Sequence, residues 1–165
     1  MKTKMNFILF ILLAAVVLVV CVLGAEASIV AELTEDQFIY PTNGRLIRTF
    51  GWYLDPVINE PRFNQGINFQ GKTDTHVYAA KAGIVIYIGF DKTIGTFMII
   101  NHDNIFKSLY AHLSTVSVKQ GDTVTQESLI GEVGNTGRSL GSQLHFRIYN
   151  NGIAVDPMSL LQSRK

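Results

Sequence analysis

From residue 41 onward the chain is a succession of short β-branched and aromatic runs cut by turn residues, and few architectures accommodate that spacing. The runs fall at residues 45–50, 67–70, 76–80, 84–90, 96–101, 105–112, 129–133 and 144–149. Apolar side chains recurring at short range, with no helical periodicity beyond the first segment, predict strands. Lys81-Ala82-Gly83 and Asn150-Asn151-Gly152 read as tight turns, so neighbouring strands are expected to run antiparallel through hairpins. The expected fold is all-β: a compact antiparallel β-sandwich or open barrel.

The N-terminal segment obeys different rules. Lys2 and Lys4 precede an uncharged, apolar stretch at residues 7–25, which Glu26 ends. This predicts one apolar helix, with residues 1–27 serving either as a signal peptide or as a single transmembrane anchor. Ala25-Glu26-Ala27 fits a small-x-small cleavage site, while the run approaches the length that spans a bilayer, and both readings stand. In either case the preceding lysines keep the N-terminus inside and export the remainder. The expected location is the periplasm, the cell wall or the outer face of the cytoplasmic membrane, with membrane contact through residues 7–25 if they are retained. Residues 28–40 read as a linker and residues 41–165 as the domain.

Composition removes several function classes. The single cysteine, Cys21, lies inside the apolar run, so the exported part has no internal disulfide and no thiolate metal site. Val20 stands where a lipoprotein signal would have a small residue. A formal charge of +1 without a basic block argues against nucleic acid as a partner.

Five further strings occur in fixed order: Val77-Tyr78-Ala79-Ala80 before Gly83-Ile84-Val85, then Tyr110-Ala111-His112-Leu113-Ser114, then the glycine-rich Gly134-Asn135-Thr136-Gly137-Arg138-Ser139-Leu140-Gly141-Ser142-Gln143-Leu144-His145-Phe146, then Asp156-Pro157. Together they resemble the lysostaphin-like, LytM-type endopeptidases, which cut peptide cross-links in bacterial cell walls. The resemblance spans residues 41–161 and implies the duplicated hybrid motif fold, which is barrel-sandwich hybrid-like. Val118-Lys119-Gln120-Gly121-Asp122-Thr123-Val124 followed by Leu129-Ile130-Gly131 is shared with biotinyl and lipoyl carriers. A carrier needs a modifiable lysine flanked by methionine, and no such tripeptide occurs.

The resemblance also implies a site, and here the chain departs from the pattern. The family holds zinc with the histidine and aspartate of His-x-Gly-x-Asp and with the second histidine of His-x-His. In Asn64-Gln65-Gly66-Ile67-Asn68 the two ligand positions are Asn64 and Asn68, which leaves His145 as the one matching metal ligand. Of the two positions that flank the attacking water, His112 is retained and Gln143 replaces histidine. Carboxamides are neutral, weak donors, and losing the carboxylate removes the charge that offsets a dication. Strand alternation sets Gln143, His145 and Arg147 on one face, where a cation at Arg147 would oppose a metal.

The sequence therefore predicts no cofactor and a non-catalytic module that binds peptidoglycan or a cell-envelope protein. Degenerate relatives of this kind regulate wall amidases or, in the sporulation protein Q group, join membrane-spanning channels. The alternative is an active endopeptidase that binds zinc through replacement ligands, such as Asp74, Asp103 or a group from a partner chain, completing a site around His145 and His112. Arg138, in the glycine-rich loop, is a candidate for binding a peptide carboxylate. His102 reads as a hydrogen-bonded strand-end residue, His76 as a surface residue, and Trp52 and Tyr53 as core packing.

Overall fold

The computed structural model describes residues 37–162. The apolar helix, the signal-or-anchor question and Cys21 lie outside the described residues.

Fourteen strands run through this region: β1 (Phe38–Ile39), β2 (Arg45–Arg48), β3 (Gly51–Leu54), β4 (Pro61–Asn64), β5 (Ile67–Gln70), β6 (His76–Tyr78), β7 (Gly83–Asp91), β8 (Gly95–Asn101), β9 (Phe106–Val116), β10 (Thr123–Val124), β11 (Leu129–Val133), β12 (Gln143–Asn150), β13 (Ile153–Val155) and β14 (Leu161–Gln162). Ten of them form one sheet along the path β10-β7-β8-β9-β12-β5-β2, with β11 bridging β9 to β6 and β13 pairing with β12. Every pairing in that sheet is antiparallel. The expected all-β fold is therefore present, with one exception to its antiparallel rule: β1 pairs parallel with β14.

Period-two alternation sorts each central strand into two faces. On β12, Leu144, Phe146 and Ile148 are fully buried and turn to the core, while Gln143, His145 and Arg147 turn the other way. Strand β5 does the same, sending Ile67 and Phe69 inward and Asn68 outward. Core side chains of this size contribute about 1.5–3 kcal/mol each on burial. Tyr110 packs against Phe146 with ring centroids 5.2 Å apart, and its hydroxyl accepts from the Ala80 amide at 2.9 Å. Burial pushes that phenol up to about 12.

Three sequence expectations change. The run at 45–50 ends at Arg48, because Gly51, at φ 116°, turns the chain into a separate β3–β4 hairpin that was not foreseen. Trp52, expected in the core, lies on that hairpin and is 74% exposed. Phe38 and Ile39, assigned to the linker, are buried, with Phe38 a member of the core cluster.

Candidate functional site

Register brings the site together. His145 of β12 lies directly across from Asn68 of β5 and from Ala111 of β9, so residues far apart in sequence share one outward face. They floor an open cleft of about 290 Å³ walled by the β3–β4 hairpin and by the loops around Thr93 and Arg138. All six candidate site residues, Asn64, Asn68, His112, Arg138, Gln143 and His145, line it.

The floor is a closed hydrogen-bond chain. Asn64 Nδ2 donates to the carbonyls of Thr49 (2.9 Å) and Gly66 (2.7 Å) and lies 3.1 Å from Asn68 Oδ1. Asn68 Nδ2 donates to Gln143 Oε1 at 3.1 Å, and Gln143 Nε2 donates to Ser139 Oγ at 2.8 Å. His145 Nδ1 is 3.1 Å from Asn68 Oδ1, and Arg147 Nε donates to His145 Nε2 at 2.7 Å. Arginine has only donors to offer, so Nε2 must accept and the proton of a neutral ring sits on Nδ1. Arg147 Nη1 is held in turn by Gln65 Oε1 at 3.0 Å and by the Tyr149 hydroxyl at 3.4 Å. Burial, followed by the charges of Arg147, His112 and Arg48, holds the His145 pKa well below its ordinary 6.5.

His112 reaches the cleft by a different device. The β8–β9 register shifts between Thr96 and Met98, and His112 occupies the corresponding bulge at φ 62°. A bulge re-aims one side chain and kinks its strand, and a left-handed non-glycine residue at such a place is strained. His112 Nδ1 donates to the Thr136 carbonyl at 2.8 Å, which leaves Nε2 as an acceptor. Its ring centroid is 6.2 Å from that of His145. Thr136 is fixed by accepting from the Thr96 amide (3.0 Å) and donating to the Leu113 carbonyl (2.9 Å). Gly95 and Gly137, both at positive φ, permit this contact, since a Cβ on either would collide with the opposite loop. Burial, opposed by the Thr136 carbonyl, lowers the His112 pKa, and the charge of Arg147 lowers it further.

The cleft is rich in cations. Arg48, Arg62, Arg138 and Arg147 line it, against one carboxylate, Asp55. The Arg48 guanidinium stacks 4.1 Å from the centroid of the Tyr53 ring, and Arg62 pairs with Asp55 at 3.5 Å. The Val57 amide holds the Asp55 carboxyl below the usual carboxylate range against a desolvation penalty, with help from the Ile58 amide and the charges of Arg62 and Arg138.

These donors do not fit zinc. Among the described residues no three His, Cys, Asp or Glu side chains converge on one point. Of the family's ligand positions His145 alone carries a strong donor, and both of its nitrogens are already engaged. Asp103 makes an ion pair with Lys81 at 3.6 Å and accepts from the Ile105 and Phe106 amides, and neither it nor Asp74 lines the cleft. His102 bonds to the Ala82 carbonyl (2.8 Å) and Ser108 Oγ (2.7 Å), and His76 is exposed beside Glu132 at 3.8 Å. Sequence reasoning missed Arg48, Asp55 and Arg62 as cleft residues and assigned Tyr53 to the core, whereas Tyr53 lies on the unforeseen hairpin, lines the cleft and stacks with Arg48 of β2.

The profile of Peptidase family M23 matches residues 62–157. The chain belongs to Peptidase family M23. Among relatives of this M23 domain, the DD-carboxypeptidase/endopeptidase Mpg of Neisseria meningitidis is 36% identical over 70% of the chain and 27% of its own length. The murein hydrolase activator NlpD of Escherichia coli is 32% identical over 76% of the chain and 31% of its length. The chain thus spans less than a third of either relative. A chain in the solved SpoIIQ–SpoIIIAH pore-forming complex superposes with a TM-score of 0.69 at 26% identity, covering 78% of this chain and 92% of that one.

Proposed function

We propose that this M23 domain is a non-catalytic binding module of the bacterial cell envelope and that its cleft recognises peptidoglycan. The observation that carries the reading is the engagement of both His145 nitrogens, by Asn68 and by Arg147, with carboxamides at the other two ligand positions. A metal that activates water lowers its pKa towards about 7, and without one His112 faces ordinary water. The family supports a wall-related role, since its members here include a murein hydrolase activator and an endopeptidase. An exported position fits that role.

A second reading is a protein partner at the envelope, favoured by the likeness to a chain of the SpoIIQ–SpoIIIAH complex. Sedimentation of the full chain with purified peptidoglycan sacculi, with soluble muropeptides analysed in parallel, tests both. The expected result is co-sedimentation without released cross-link fragments, even with added zinc. Release of fragments that His145→Ala abolishes would overturn the non-catalytic reading, and no sedimentation would leave the protein-partner reading in its place.

A further inference from the structure

Two of the four cleft arginines, Arg48 and Arg147, have no acidic partner among the described residues, and the neutral groups that hold them leave their charge uncompensated. Arg48 rests on the face of Tyr53, and Arg147 is fixed by His145, Gln65 and Tyr149. Among the described residues no acceptor meets Arg147 Nη2 or the Arg48 guanidinium, whereas Arg62 pairs with Asp55 and Arg138 shares the field of that same carboxylate. Side chains clamped by stacking and hydrogen bonds lose little freedom on meeting a ligand, and a guanidinium fork matches a carboxylate in shape and charge.

A second group narrows the ligand. His112 lines the cleft, and because its Nδ1 is committed to the Thr136 carbonyl, Nε2 is the nitrogen left as a lone-pair acceptor. A proton-free anion such as sulfate has nothing to donate to it, whereas a peptide N–H does. Val57, Phe63 and Leu140 rim the same cleft with exposed apolar surface, which suits small aliphatic side chains.

We propose that the cleft binds an uncross-linked peptidoglycan stem peptide by a free carboxylate, held between Arg48, Arg147 and Arg138, with a peptide N–H on His112. The inference rests on the reading of the cleft as a peptidoglycan-binding site, and it names the group recognised. The arginine cluster then takes over the place that a metal occupies in a zinc peptidase.

Calorimetric titration of the full chain, in mild detergent, tests this with four probes: a stem tetrapeptide with free carboxylates, the same peptide amidated, an acidic linear peptide of L-residues, and inorganic phosphate. The stem peptide is expected to bind at least about tenfold tighter than its amidated form and than the other two probes. Arg48→Gln and Arg147→Gln should each weaken the free-carboxylate peptide about tenfold and leave the amidated one unchanged, with lysine at either position recovering part of the loss. Arg48→Gln removes only a stacked surface group, so it remains informative if Arg147→Gln unfolds. Equal binding of free and amidated peptides, or binding of the acidic peptide or phosphate as tight as that of the stem peptide, overturns the proposal. That failure is distinguishable from failure of the non-catalytic reading, which registers as released wall fragments.

Discussion

Arg147 Nε lies 2.7 Å from His145 Nε2, two residues away on the same face of β12, and donates a hydrogen bond to the lone pair that a metal would need. A permanent cation thus occupies the approach to the one retained ligand. The same contact fixes the ring as the Nδ1–H tautomer, and that tautomer in turn fits the Asn68 carbonyl oxygen at 3.1 Å.

Nitrogen-15 NMR of the imidazoles should therefore find His145 neutral at about pH 7, protonated on Nδ1, with its titration displaced well below the ordinary 6.5. Arg147→Gln should raise its pKa, since one of the charges that hold it down is gone. An ordinary titration near 6.5 in the unsubstituted protein would contradict the Arg147–His145 contact.

Stability should fall as the solution is acidified through the histidine range. Burial, opposed by the Ala82 carbonyl, brings His102 down from 6.5 to about 4, and burial also lowers His112 and His145. The unfolded chain therefore takes up protons from about pH 6.5 downward while the native state does not, and stability is lost across that window until the folded pKa is reached. His102 alone accounts for at most about 3 kcal/mol. Urea unfolding at a series of pH values checks this, with His102→Gln expected to flatten the slope. Stability that holds or rises between about pH 6.5 and 4 would contradict it.

The bulge at His112 gives an inverted ranking of small substitutions. At φ 62° a Cβ is strained, so His112→Gly should be more stable than His112→Ala by about 1 kcal/mol, the opposite of the order in an ordinary strand position. Thermal unfolding of the two variants decides it.

Asp103 is a structural carboxylate. Burial pushes its pKa up, but the Phe106 and Ile105 amides that it accepts from and the charge of Lys81 outweigh this and hold it below the usual carboxylate range. Removing it as Asp103→Ala should cost about 2 kcal/mol in chemical denaturation without altering ligand binding in the cleft.

Much of this was legible in the sequence because the site is built on strands. Alternation along β12 sets Gln143, His145 and Arg147 on one face, and glycine-rich turns mark the loop that carries Arg138. The β3–β4 hairpin was not legible, since its apolar residues are exposed or at most half-buried and form no buried stripe. Missing it meant missing Arg48 against Tyr53 and Arg62 against Asp55, and with them the charge of the cleft. The bulge was hidden for another reason. A positive φ at a histidine follows from the loop contact between Gly95 and Thr136, which no local pattern announces.

A restored site offers the positive control for the whole account. Asn64→His and Asn68→Asp supply the two missing family donors, and Arg147→Glu removes the cation that caps His145. The combined variant is expected to bind about one zinc per chain, and the same variant with Arg147 retained to bind it at least about a hundredfold more weakly.

The most direct test is the zinc content of the full chain, measured by elemental analysis after dialysis against trace zinc, alongside His145→Ala and the restored variant. The account predicts well under one zinc per chain in the unsubstituted protein, no change in His145→Ala, and about one zinc per chain in the restored variant. About one zinc per chain in the unsubstituted protein, lost on His145→Ala, would contradict it.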